Sequence, residues 1–424
     1  MRKKLRFLSL ALALILLASA LFGCNKPTDT ETQPEAKTSI LTINGVALED
    51  FTVVFDKRPI SGAEKAFAYL NEKLEVLYGT SLNGVMSSKD RYEILIGLDG
   101  DDEAIAQAYA ENPSGLIGAT EKKIVLLGAN YTALCQVIDA FLDKATGETG
   151  SKEISVSGYE CLDLNKASIN VMSYNVLSDL GKEGRPSDPR TKMVDTILEN
   201  DTDVFGTQED GQANAAAFTQ KLKSYSIYKG GDISDNSNYI YWKTDKFNLK
   251  EKGCYYLSDT PEIKSKYNGS NHYRTMAYVI LEVKETGKQF VFVDVHADYR
   301  AEEPVRVKQL TALTNIIKNI NKNNLPIVIV GDFNTTPTTS GGAIPSFLRE
   351  NPNFSRTEDI AHTEGDTGGT LVDGFIKRDN KYVFDHIFVS TDKIFTRYYT
   401  VVDNIKNGKY PSDHVPVLSK IDIY

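Results

Sequence analysis

Residues Ile327-Val328-Ile329-Val330-Gly331-Asp332-Phe333-Asn334 constrain the fold more than any other stretch of this 424-residue chain. Four consecutive β-branched aliphatics describe a strand buried on both faces, as at the centre of a layered domain. Asp332 and Asn334 follow two apart, a spacing that puts both side chains on one face of an extended chain. Gly331 allows close backbone approach just where they emerge. A carboxylate and an amide leaving such a strand suit a phosphate or metal site. Taken alone, Asp-Phe-Asn-Thr-Thr-Pro reads first as turn chemistry after a core strand.

Other apolar runs end in the same way. Ile169 to Val176 carries Asn175, Asp203 to Glu209 ends in a carboxylate, and Phe290 to His296 ends in an imidazole. Val383 to Val389 contains Asp385, and Ser412-Asp413-His414 precedes a last strand, Val415 to Ile423. Strand ends on one side of a sheet converge. Carboxylate and amide oxygens suit a hard cation such as Mg²⁺ or Mn²⁺. His296 and His414, in a chain with only 5 histidines, each lie close to an aspartate and suit proton transfer or phosphate charge stabilisation. The spacing does not match zinc ligand clusters.

Upstream, residues 40–163 alternate short strands and helices. Strands are expected at 40–46, 51–55, 92–98 and 123–127, and helices at 62–78, 103–110 and 132–144, followed by one last strand and a short crossing within 152–163. Phe67, Leu70, Leu74 and Leu77 have helical spacing, as do Leu134, Val137, Ile138, Phe141 and Leu142. This describes a small α/β domain with no cluster of catalytic side chains. Its apolar pattern is similar to the small α/β domain before the catalytic barrel of several polysaccharide hydrolases. That resemblance implies an accessory role and a glycan as a partner.

The first residues are a processing signal. Arg2, Lys3, Lys4 and Arg6 precede an apolar run from Leu8 to Leu21, and Leu21-Phe22-Gly23-Cys24 closes it. The run is short for a membrane span. The end resembles the lipobox of bacterial lipoproteins, which implies cleavage after residue 23, lipidation of Cys24 and a body anchored to the cell membrane facing outside. Residues 24–39, rich in Thr, Pro and Glu, read as a disordered tether. The formal charge of −9 gives no general attraction to nucleic acid, and removing the basic leader makes the body more acidic still. Cys135, Cys161 and Cys254 form neither a disulfide framework nor a metal pattern.

The segments Met172-Ser173-Tyr174-Asn175-Val176, Thr207-Gln208-Glu209, Val295-His296, Gly331-Asp332-Phe333-Asn334, Asp385-His386-Ile387-Phe388-Val389 and Ser412-Asp413-His414 together resemble the ordered signature of the endonuclease/exonuclease/phosphatase superfamily. The resemblance implies a four-layer α/β sandwich over residues 166–424, two β-sheets flanked by helices, and a magnesium-dependent phosphoester hydrolase. Carried over, Glu209 binds the cation with Asn175 beside it and Asp413 completing the site. Asp332 prepares the attacking water and Asn334 holds Asp332 and a phosphoryl oxygen. His414, positioned by Asp385, contacts the phosphate, and His296 stabilises the developing charge. His386 is expected to be structural, His272 and His362 to lie at the surface or the cleft, and Asp298, Arg274 and Arg306 to buttress the site.

Within that reaction class a phosphodiesterase is the first expectation, with a nuclease or a phospholipase C-like enzyme beside it. The rival class is a non-catalytic glycan- or surface-binding lipoprotein. Every chemistry-bearing position holds a competent residue, which favours the enzyme.

Overall fold

The four aliphatics before Asp332 are buried, and Ile327–Asp332 is an inner strand of a six-stranded sheet. Burying a side chain of this size contributes roughly 1.5–3 kcal/mol, which is what commits the stretch to the middle of the molecule. The computed structural model describes residues 40–424 apart from 59–61, 86, 88–90, 149, 180 and 231–236. The expected signal peptide, the expected lipidation site Cys24 and the expected tether lie outside the described residues. Residues 39–424 form one compact unit.

The six-stranded sheet runs Phe247–Tyr256, Thr275–Val283, Gln289–His296, Ile327–Asp332, Asp385–Ser390, Phe354–Arg356. A seven-stranded sheet runs Tyr225–Tyr228, Tyr239–Lys243, Val204–Gln208, Ala167–Asn175, Val417–Ile423, Ile394–Val401, Thr363–Glu364. Their facing sides share one core, in which Ile169, Val171 and Val204 meet Val279, Phe292, Val328 and Val330. Helices Glu303–Ile320 and Ala343–Glu350 cover the outer face of one sheet through Leu310, Leu313 and Phe347. Pro189–Glu199 and Gln212–Lys221 cover the other through Met193, Ile197 and Phe218. The result is the four-layer α/β sandwich.

Strand direction brings the polar ends together. Ala167–Asn175 and Val204–Gln208 are parallel, with Asn175 opposite Gln208. Gln289–His296 and Ile327–Asp332 are parallel, with His296 opposite Asp332. Asp385–Ser390 is antiparallel to the latter and begins where it ends, with Asp332 opposite Asp385. Val417–Ile423 is likewise antiparallel to Ala167–Asn175, so the His414 segment enters at the same edge.

Residues before 163 form a sheet ordered Gly84–Val85, Thr52–Phe55, Glu93–Ile96, Lys123–Gly128, Gly115–Ala119, Tyr159–Cys161. Helices Ala63–Tyr78 and Tyr131–Leu142 pack in one cluster with it and Glu103–Glu111 in another. Two expectations change. Gly115–Ala119 is a strand despite its two glycines, and 152–163 is divided between Ser151–Ile154, paired with Ile40–Ile43, and Tyr159–Cys161. Thr132 N–H and Oγ1 both donate to the Asp392 carbonyl, at 3.1 and 2.9 Å, and Lys166 Nζ donates to Ser114 Oγ at 2.6 Å. These contacts tie this part to the sandwich. The three cysteines are free thiols.

Candidate active site

Asn175, the last residue of its strand, is buried between the two sheets. Its Nδ2 donates to Asp332 Oδ2 at 3.0 Å and, more weakly, to Glu209 Oε1 at 3.3 Å. Its Oδ1 accepts from the Leu177 N–H at 3.1 Å. Glu209 and Asn334 sit one and two residues past their strands with φ of +55° and +51°. Left-handed backbone at non-glycine positions costs of order 1 kcal/mol or more and clusters at functional sites. Here it turns both chains sharply as they leave the sheets. Gly331 is required for a different reason: a Cβ there would collide with the Val295 carbonyl of the neighbouring strand.

Asp332 is buried and collects donors. The Asn334 backbone N–H reaches Oδ1 at 2.9 Å, while His296 Nε2 stands 3.5 Å and His414 Nε2 3.8 Å from Oδ2. Burial pushes the Asp332 carboxyl up, and the charge of His414 pulls it back. Asn334 therefore holds Asp332 through its backbone; its side-chain amide donates to the Ala297 carbonyl at 3.1 Å.

The two histidines are in opposite states. His414 Nδ1 lies 2.7 Å from Asp385 Oδ2. Burial works against the charged ring, yet the carboxylates of Asp385 and Asp332 outweigh it and raise His414 to about 10. His414 is therefore an imidazolium at neutral pH. His296 is held well below its ordinary value by burial, with the charges of Arg274 and His414 acting the same way. Arg274 Nη1 lies 3.0 Å from His296 Nδ1. A guanidinium can only donate, so Nδ1 is the acceptor and the proton sits on Nε2, facing Asp332.

These side chains line a cleft of about 620 Å³ that also contains Lys182, His272, Arg274 and Tyr299. Asp413, expected to complete the cation site, lies in the cleft and pairs through Oδ2 with Lys182 at 2.8 Å. Arg274 does more than buttress the site, since it faces the cleft and fixes the His296 tautomer. Asp298 has the structural role expected of it. Its Oδ2 accepts from Ser270 Oγ and from the backbone of Asn271 and His272 at 2.6, 2.6 and 2.9 Å, organising the loop that carries Arg274. Arg306 bonds the Asp298 carbonyl at 3.0 Å. His386 is buried against Phe333 and Phe388, and burial pushes it down to about 3. His362 lies at the join to the first sheet, with Nε2 3.2 Å from the Ala110 carbonyl. Lys182 was not anticipated, because nothing in the sequence places its polar loop against Asp413.

A family model described as Endonuclease/Exonuclease/phosphatase family matches residues 172–414, a span that holds every one of these strand ends. The chain belongs to the endonuclease/exonuclease/phosphatase family. Its members are phosphoester hydrolases that use a divalent metal. An endonuclease/exonuclease/phosphatase family protein from Bacteroides thetaiotaomicron is 24% identical with a TM-score of 0.55, covering 62% of this chain and 100% of its own. A mannosyl-6-phosphatase from the same organism is 25% identical with a TM-score of 0.54, covering 60% of this chain and 99% of its own. A Bacteroides vulgatus protein of the family is 19% identical with a TM-score of 0.55, covering 61% and 100%. No curated protein matches the chain.

The donor set fits a divalent cation at Glu209. Its carboxylate is half-buried in the cleft, forms no ion pair among the described residues, and accepts one long bond, from Asn175 at 3.3 Å. A carboxylate oxygen donor of this kind suits Mg²⁺ or Mn²⁺, and Asn175 stands beside it with its Nδ2 on Glu209 and Asp332. Asp332, Asp385 and His414 also converge, with potential ligand atoms within 4.8 Å of one another. Within that trio His414 Nδ1 is already engaged by Asp385 at 2.7 Å, and the three groups form a hydrogen-bonded relay.

Proposed function

We propose that the chain is a Mg²⁺-dependent phosphoester hydrolase in which water attacks phosphorus in the cleft bounded by Glu209, Asp332 and His414. The convergence of Asn175, Glu209, His296, Asp332, Asp385 and His414 on one edge of two sheets carries this reading. Glu209, with Asn175 beside it, would hold the cation, which would supply Lewis-acid neutralisation of phosphoryl oxygen charge. Asp332, its carboxyl pushed up by burial, accepts the proton of the attacking water. His414, kept charged by Asp385, donates to a phosphoryl oxygen, and neutral His296 offers its Nε2–H to charge developing in the transition state. Asn334 fixes Asp332 through its backbone, and Asp413 acts through Lys182 at the mouth of the cleft.

A phosphodiester remains the substrate expected from the motif set. A second reading is favoured by one observation: Arg274 and the charged His414 both line the cleft, two cationic groups that would meet the extra charge of a monoester dianion. The 25%-identical relative named a mannosyl-6-phosphatase makes a sugar phosphate the first monoester to test. The leader and Cys24 support anchoring at the outer face of the membrane. The α/β part before residue 163 serves as an accessory unit with a glycan as its candidate partner.

The test uses the body from Ser39 onward with a diester, an aryl monoester and mannose 6-phosphate, each with Mg²⁺ and with a chelator. In H₂¹⁸O, attack at phosphorus puts the label in the phosphate product. Label in the alcohol, or no turnover of any substrate with any divalent cation, would overturn the reading.

A further inference from the structure

Directly beneath the site a carboxyl group is buried without a cation. Asp294, on Gln289–His296, and Gln208, the last residue of Val204–Gln208, are fully buried and face each other across the gap between the two sheets. Gln208 Nε2 donates to Asp294 Oδ1 at 2.6 Å and to Ser173 Oγ at 3.2 Å, so both amide hydrogens are in use. Two acceptors stand out: Gln208 Oε1 and Asp294 Oδ2 are buried without a hydrogen bond of good geometry, and the Asn238 amide is the side-chain donor other than Gln208 that faces Asp294. Gly206 makes the room, because a Cβ there would sit 2.7 Å from the Asp294 carboxyl carbon.

The groups facing Asp294 are the carboxyl of Asp210, the thiol of Cys254 and the amides of Gln208 and Asn238. None carries positive charge. A carboxylate held there would have no opposite charge beside it, which costs several kcal/mol, whereas one proton would remove that charge and give Gln208 Oε1 a donor. Burial acts in the same direction, raising the Asp294 carboxyl well above its ordinary value.

We propose that Asp294 is kept as the neutral acid, its Oδ2–H supplying the donor that Gln208 Oε1 lacks. The acid–amide pair is then a positioning element. Gln208 is one residue before Glu209 and Asp294 two before His296, so a two-bond link between them fixes the cation-binding strand end against the imidazole of the other sheet. The catalytic half of this inference rests on the hydrolase reading; the protonation half does not.

The experiment compares metal-free wild type with Asp294→Asn, whose amide can keep both bonds. Folded Asp294 holds its proton above the ordinary carboxylate range and the unfolded chain releases it. Its contribution to stability is therefore present at low pH and lost as pH rises toward the folded value. Between pH 4 and pH 8 the thermal midpoint of wild type should fall relative to that of Asp294→Asn. The infrared band of a protonated carboxyl should persist at pH 7 in wild type and be missing from the variant. In turnover assays Asp294→Asn should keep kcat, while Asp294→Leu should lose about tenfold or more in kcat at unchanged KM. Parallel pH profiles with no infrared difference would overturn the protonation, as would a loss of kcat in Asp294→Asn. Infrared and melting data need neither metal nor substrate, so they stand even if no substrate is turned over, and they decide the protonation should Asp294→Leu fail to fold.

Discussion

The Asn175 amide of one sheet lies 3.0 Å from the Asp332 carboxylate of the other, a single bond joining the two halves of the cleft. It ties the carboxylate expected to prepare water to the residue expected to flank the cation. Asn175→Ala should lower kcat by about 10- to 100-fold and weaken the response to Mg²⁺. A Mg²⁺ titration of turnover checks this; an unchanged titration would detach Asn175 from the cation site.

Asp385 acts through His414. With the 2.7 Å bond gone, the imidazole loses the carboxylate that keeps it charged, and Asp385→Asn should lose roughly 10²–10⁴-fold in kcat. Because the two residues work as a unit, Asp385→Asn with His414→Ala should be no slower than His414→Ala alone. Additive losses in the double variant would show two independent roles.

Arg274 gives a prediction that can be read without substrate. Its donation into His296 Nδ1 requires the neutral Nε2–H tautomer, which nitrogen NMR of the wild type should detect and Arg274→Ala should disturb. Arg274→Lys keeps charge but loses the planar fork, so kcat/KM should drop by about tenfold or more, the size of one charged hydrogen bond. Equal activity in the lysine variant would leave charge as its only contribution.

Gly331→Ala tests the backbone under the site. Its Cβ would press on the Val295 carbonyl, and the inner strand cannot move without breaking its ladders on both sides. A destabilisation of about 3 kcal/mol or more is expected, measured by denaturant unfolding. A variant as stable as wild type would mean the two strands can part at little cost.

Much of this was legible because period and punctuation agree. Ile327 to Val330 could only be an inner strand, and each polar group closing such a run landed at one edge once strand directions were set. The helices before residue 163 were equally plain, their apolar spacing unbroken. What escaped notice depends on tertiary partners. Phe247–Tyr256 carries Lys and Glu on an exposed sheet edge, so alternation does not announce it, and the glycines of Gly115–Ala119 argue locally against a strand. Lys182 and Arg274 become site residues only through Asp413 and His296. Asp294 was hidden within an apolar run, its significance visible only against Gln208 of the other sheet.

The central claim is that Asp332 prepares water for attack at phosphorus in a cleft whose metal is held by Glu209. It is tested most directly by steady-state turnover of an aryl phosphate ester at saturating Mg²⁺ by wild type and by Asp332→Asn, which preserves shape and removes the base. Wild-type turnover that chelator abolishes, and a loss of roughly 10²–10⁴-fold in kcat in a variant that melts normally, is the expected result. Asp332→Asn turning over at the wild-type rate would contradict it.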